Sequence, residues 1–166
     1  MDIPPNEILR AVGTGVIEAS KAFRVIVSDD LEEDELAATA KQLIDLLECE
    51  DKLVIAAAAA ALSSYGAYGF DVIWQDNADI VEQAMIGLAG ASIRIGDKDV
   101  RRICARGART IYYRANDSSS LTDTMWDNVM PKIEAACAAT DDPVVEFDLD
   151  YIVQNWDGPE LDQDKS

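Results

Sequence analysis

Apolar residues recur at three- and four-residue spacing along most of this chain, which is the period of an amphipathic α-helix. The helical patterns cover residues 9–26, 36–47, 52–64, 80–91, 98–116, 125–137 and 145–156. They predict an all-α protein, a compact bundle of about six to seven helices. We expect residues 1–158 to form a single helical domain and residues 159–166 to form an acidic disordered tail.

A short strand is an alternative prediction for two segments. Residues 70–74 are short and apolar, and alternate positions of residues 144–153 are apolar, which is a strand pattern. The second segment also has Val145 and Leu149 at helical spacing. It follows Asp142-Pro143, a helix N-cap residue with proline at the first helical position. The pattern alone therefore supports both a strand and a helix there.

Six consecutive alanines, Ala56–Ala61, interrupt the usual mixture of apolar and polar positions. Alanine is the best helix former and has little bulk, so this segment predicts a central helix that neighbouring helices approach closely. The most apolar stretch, Leu53–Leu62, is about half as long as a membrane-spanning helix. Three widely spaced cysteines and the absence of histidine favour free thiols in a reducing compartment. We expect a cytoplasmic protein, or one in the host cytoplasm if it is viral.

Charge is distributed unevenly along the chain. Residues 1–55 contain 13 Asp/Glu against 5 Lys/Arg, residues 56–116 contain 6 against 7, and residues 117–166 contain 13 against 2. The net charge is −18. Halophilic proteins also have excess acidic residues, but over their whole surface, whereas the middle third of this chain is neutral to basic. An acidic surface favours basic partners and repels nucleic acid.

The segment Arg94–Arg114 contains six of the eight arginines. At 100° per residue, Val100 and Ile111 fall on an apolar face, and the basic residues occupy a neighbouring arc of about 140°. Arginine beside tyrosine suits binding to carboxylates, phosphates or stacked bases. Pairing with the acidic segments of the same molecule is the alternative. The candidate basic stripe consists of Arg94, Arg101, Arg102, Arg106, Arg109 and Tyr113.

The acidic segments are candidates for a second surface, which would bind a basic partner. Its candidate residues are Asp29, Asp30, Glu32, Glu33, Asp141, Asp142, Glu146, Asp148 and Asp150. Rows of carboxylates can imitate a nucleic-acid backbone. The charge pattern therefore points to a non-catalytic interaction protein, and more specifically to an inhibitor of viral or anti-defence type that mimics nucleic acid. A structural or assembly subunit that forms a homo-oligomer, such as a homodimer, is the alternative.

Enzymatic chemistry has little support in the sequence. Histidine, the commonest general base, is absent. Glu32 and Glu35, followed after twelve residues by Glu48 and Asp51, resemble the magnesium-binding signature of the MazG-type nucleotide pyrophosphatases. The intervening residues form one helical pattern, which would separate the two pairs by about 20 Å, too far to share a metal. We expect no catalytic residues, no metal site and no cofactor.

Overall fold

Helices make up nearly all of the chain that the structure describes. This computed structural model describes residues 40–41, 43–68, 78–117 and 121–156, and for residues 64–68 it describes the backbone alone. The helices with defined bounds are α1 (Lys52–Tyr68), α2 (Ala78–Arg94), α3 (Lys98–Asp117), α4 (Asp123–Ala139) and α5 (Pro143–Asn155). Residues 40–41 and 43–46, which precede them, are also helical. No strand occurs in these ranges, so the all-α prediction is confirmed.

Short polar side chains cap the N-terminus of four of these helices, α5 included. Asp51 Oδ1 accepts hydrogen bonds from the amides of Leu53 and Val54 at the start of α1. Asp97 Oδ1 does the same for the first amides of α3, and Thr122 Oγ1 accepts from Met125 N at 3.1 Å in α4. These bonds satisfy amides that have no partner inside the helix.

The alanine-rich helix α1 is buried, as its composition predicts. Ala56 to Ala59 and Ala61 have no exposed surface. Gly107 of α3 shows how closely the helices approach each other. A Cβ atom there would lie 3.0 Å from Ser63 Oγ of α1 and 3.4 Å from both Leu88 methyl groups of α2. Small residues therefore set the separation of these helices.

Helix α3 is the central element of the described bundle. It packs against α1, α2 and α5, while α4 packs against α2 and α5. The largest fully buried side chains come from several elements and include Tyr112, Leu43, Ile55, Leu62, Ile80 and Met85. Among the described helices, α5 packs mainly against α3 and α4. None of the described helices is both long and apolar enough to cross a membrane.

The strand alternative for residues 144–153 is wrong, because α5 spans this segment. Val145, Leu149 and Ile152 are buried at helical spacing, whereas Phe147 is exposed. The alternating pattern arose because α5 has apolar side chains on two faces, one in the core and one towards solvent. The strand alternative at residues 70–74 and the predicted tail at 159–166 lie outside the described residues.

Candidate interaction surface between helices α3 and α5

One face of α3 presents three arginines and a tyrosine in a row. Arg102, Arg106, Arg109 and Tyr113 are separated by four, three and four residues, so they lie within an arc of about 60°. We call these four residues the arginine row. It lies beside the apolar face of α3 that packs into the core.

The first member of the row pairs with the N-cap residue of α5. Arg102 donates from Nε to Asp142 Oδ2 at 2.9 Å and from its amino group to Oδ1 at 3.2 Å. Asp142 is 5% exposed, and its Oδ1 also accepts from Val144 N at 2.9 Å. The hydrogen bond from Arg102 is the main reason that the pKa of Asp142 falls to about 2. The same bond raises the pKa of Arg102. One carboxylate thus begins α5 and attaches it to α3.

The next two members of the row share a second carboxylate. Arg106 Nε lies 3.2 and 3.1 Å from the two oxygens of Asp148, and an amino group of Arg109 donates to Oδ1 at 3.0 Å. Asp148 is only 1% exposed. A carboxylate so deeply buried requires charged partners, and two guanidinium groups supply them.

Aromatic side chains of α5 complete the contact with α3. The Arg109 guanidinium carbon lies 4.2 Å from the ring centre of Tyr151 and 5.4 Å from that of Phe147, within the range of cation–π attraction. The buried ring of Tyr112 meets Tyr151 edge to face at 6.2 Å and Trp156 at 5.7 Å. Arg109 is therefore held between a carboxylate and two rings.

The order of these contacts shows that α3 and α5 run parallel. Arg102 pairs with Asp142, Arg106 pairs with Asp148, and Tyr112 lies against Trp156. Residues nearer the C-terminal end of α3 therefore contact residues nearer the C-terminal end of α5. Helix α4 lies between them in the chain and runs in the opposite direction. Two helices that are close in sequence can therefore lie side by side and parallel.

Several members of this surface remain open to solvent. The Arg106 side chain is 61% exposed, and Tyr113 and Phe147 are 53% and 62% exposed as residues. Val144 and Tyr151 lie on the same side of α5 as Phe147, within an arc of about 60°. The arginine row and these apolar residues form the two sides of what we call the α3–α5 face.

The structure corrects part of the predicted acidic surface. Asp142 and Asp148 are buried in pairs with arginine and are not surface residues. Asp141 and Glu146 are exposed and Asp150 is half-buried, so these three keep the predicted location. The other four candidates, Asp29, Asp30, Glu32 and Glu33, lie outside the described residues.

Two members of the predicted basic stripe lie apart from the row. Arg94 is in the last turn of α2, where its guanidinium donates to the carbonyl of Leu47. Arg101 is half-buried on the core side of the row, and its Nε is buried without a hydrogen-bond partner among the described residues. The stripe on this surface is therefore shorter than the sequence suggested.

Sequence reasoning missed a row of carboxylates on α4. Asp123, Asp127 and Glu134 are exposed and lie within an arc of about 40°. Their spacing of four and seven residues is the signal in the sequence that places them on one face of a helix. Phe147 and Tyr151 were also missed, because they were counted in the apolar pattern. Only the helical assignment of α5 places them beside Asp148.

The described residues include the second acidic pair of the magnesium-binding signature and all three cysteines. Asp51 is used as the N-cap of α1, and Glu48 lies in the turn before it. No group of three or more metal-ligating side chains occurs within the described ranges. All three cysteines are free, and burial raises the pKa of Cys104 to about 12.

Comparison of the chain with protein-family models, with curated proteins and with solved structures found no match.

Proposed function

We propose that this chain is a non-catalytic interaction protein that binds a protein partner with a basic surface. The observation that supports this most directly is the internal pairing of the arginine row. Arg102, Arg106 and Arg109 are used to hold the acidic helix α5 against α3. Among the described residues, the exposed carboxylates on α4 and α5 form no ion pair.

The exposed charged residues of the range 121–156 are almost all acidic. Lys132 is the single basic residue in this range, and it lies about 180° around α4 from Asp123. The exposed acidic residues are Asp123, Asp127, Glu134, Asp141 and Glu146. A surface of one sign attracts a partner of the other sign and accelerates association.

The spacing of the α4 row also suits mimicry of a nucleic-acid backbone. At 1.5 Å per residue, Asp123 and Asp127 are about 6 Å apart along the helix axis. Two steps along one DNA strand cover about 6.8 Å. The specific form of the proposal is therefore an inhibitor, of viral or anti-defence type, that occupies the nucleic-acid groove of its target. The free thiols are compatible with a cytoplasmic location, of the cell or of an infected host.

Direct nucleic-acid binding is a weaker proposal. Asp142 and Asp148 balance two of the three positive charges of the row, and a chain of net charge −18 repels a polyanion. Assembly into a homo-oligomer is the alternative that an exposed residue favours, because Phe147 is 62% exposed. Light scattering across a concentration series distinguishes this alternative, since a monomer at all concentrations excludes it.

The test compares two variants of equal net charge. One variant has Asp123→Asn, Asp127→Asn and Glu134→Gln, and it removes the carboxylate row of α4. The control variant neutralises three exposed carboxylates elsewhere, with Asp45→Asn, Glu48→Gln and Glu50→Gln. Each tagged protein is used to capture partners from the native host at two salt concentrations, with and without added duplex DNA, followed by quantitative mass spectrometry.

We expect a specific partner that the first variant loses and the control retains. Capture should weaken at the higher salt concentration and compete with DNA. Equal loss in both variants would show that net charge alone drives capture. A partner that is insensitive to salt and DNA would contradict the mimicry.

A further inference from the structure

The α3–α5 face combines charged groups with exposed aromatic surface. Phe147 is the most exposed of the large hydrophobic residues described, and most of its ring surface gains nothing from burial. Tyr113, at the end of the arginine row, is also more than half exposed. Arginine and tyrosine are the residue types that contribute most to protein–protein interfaces.

Arg106 retains hydrogen-bonding capacity in this setting. Its hydrogen bonds to Asp148 come from Nε, and its two amino groups donate none to the described residues. Those amino groups form the planar fork that binds a carboxylate through two parallel hydrogen bonds. With the side chain 61% exposed, the fork is accessible from solvent.

The surrounding contacts hold this fork and its neighbours in place. Asp148 fixes the inner edge of Arg106, and Arg109 is fixed by Asp148 and by the ring of Tyr151. Ordering of side chains is a large part of the free energy that opposes binding, so groups already held in place bind with less loss of entropy. The α3–α5 face is preorganised in this sense.

From these observations we propose that the α3–α5 face is a docking site for a peptide segment of a partner protein that carries a carboxylate beside an aromatic or aliphatic side chain. The carboxylate would be bound by Arg106, and the apolar side chain would pack between Phe147 and Tyr113. This site lies on α3 and α5 and uses none of the α4 carboxylates, so it goes beyond the proposed function.

The charge of the arginine row favours a peptide with a carboxylate over a nucleic acid as the ligand of this face. The three paired arginines outnumber their two aspartate partners, which leaves the arginine row positive within a chain of net charge −18. A single carboxylate needs only one such fork. A nucleic acid would bring many phosphates close to the acidic helices and would be repelled. With both sites occupied, the protein would connect a basic partner to an acidic one.

The site can be tested with synthetic peptides and the full-length chain. The probe is a fluorescein-labelled peptide of twelve residues in which glutamate and phenylalanine alternate. One control peptide replaces glutamate with glutamine, and the other replaces phenylalanine with serine. Binding is measured by fluorescence anisotropy at about 0.15 M salt, where the Debye length of about 8 Å limits repulsion by distant acidic residues.

Each variant is compared with a control that makes the same change of charge, or that shortens another exposed apolar side chain. Arg106→Gln is compared with Lys132→Gln, which removes one exposed positive charge from α4, and Phe147→Ala is compared with Ile93→Ala, since Ile93 is 40% exposed on α2. We expect Arg106→Gln and Phe147→Ala each to weaken binding by about tenfold or more, and both controls to stay within about twofold. Circular dichroism confirms that each variant is folded.

Three results would overturn the inference. The first is equal binding of the glutamate and glutamine peptides, because the carboxylate would then not be recognised. The second is equal affinity of Arg106→Gln and Lys132→Gln. The third is a wild-type dimer, seen by light scattering, that Phe147→Ala converts to a monomer, because the occupant would then be a second copy of the chain. Loss of binding to a basic partner in the α4 variant is a separate result and does not affect this test.

Discussion

Substitution of Asp148 by asparagine should destabilise the protein far more than the loss of one acidic charge would suggest. Asp148 is 1% exposed and accepts hydrogen bonds from Arg106 and Arg109. Asparagine keeps the shape of the side chain but removes its charge. It also replaces one acceptor oxygen with an amino group that faces the guanidinium groups.

The size of the effect follows from the exposure of the two arginines. Loss of one partner from a fully buried ion pair costs about 3–5 kcal/mol, whereas exposed pairs contribute about 0–1 kcal/mol. The Arg109 and Arg106 side chains are 28% and 61% exposed, so water can solvate them after the change. We therefore expect Asp148→Asn to lower the free energy of unfolding by about 2 kcal/mol, between these limits. The melting temperature should fall by about 4–8 °C for a chain of this size.

The assay is urea unfolding followed by circular dichroism, with thermal unfolding as a second measurement. Asp141→Asn is the matched control, because it makes the same change of charge at an exposed residue just before α5. It should change stability by less than about 0.5 kcal/mol. In a double-mutant cycle, Arg109→Gln should have a much smaller effect once Asp148 is replaced. If the two asparagine variants unfold within about 0.5 kcal/mol of each other, the reasoning is wrong and the pairing does not stabilise the α3–α5 contact.

Three further predictions concern acid, packing and thiol reactivity. Because the pKa of Asp142 lies at about 2, below its usual value of 3.8, the contribution of its pair with Arg102 is complete above pH 3.8 and is lost as the pH falls towards 2. Urea unfolding at pH 5 and pH 2.5 should show a greater loss for the wild type than for Asp142→Asn, and equal losses would contradict this. Gly107→Ala should be less stable than Gly90→Ala by about 1–3 kcal/mol in the same assay, because a Cβ at Gly107 meets neighbouring side chains and one at Gly90 meets nothing within 4 Å. Cys104 should resist iodoacetamide at pH 8 in the native protein and react in urea, which mass spectrometry measures, since burial raises its pKa to about 12.

Much of the fold could be predicted from the sequence because the helix signals are local. The start of α3 at Lys98 and its end at Asp117 lie where the pattern over residues 98–116 indicated them. The N-cap at Asp142 and the burial of the alanines are also as expected. These features depend on residues within one or two turns of each other, so a single sequence contains the information.

The predicted acidic surface failed at two residues for the opposite reason. Asp142 and Asp148 are charged residues in an acidic segment, and exposure is the usual state of such residues. Their burial depends on Arg102 and Arg106, which lie 40 and 42 residues away in the chain. No local pattern shows that α3 and α5 run parallel at a spacing that brings these groups together.

The sequence by itself determined the helical class, most helix boundaries and the separation of basic and acidic segments. Helix periodicity and capping act over a few residues, and charge composition is a property of the sequence alone. Only the tertiary structure decided that the acidic C-terminal helix closes over the arginine row. It also decided which carboxylates stay exposed on α4, and that Arg106 and Phe147 remain open to solvent. Ion pairing and burial depend on groups distant in the chain, and only the packing of whole helices brings such groups together.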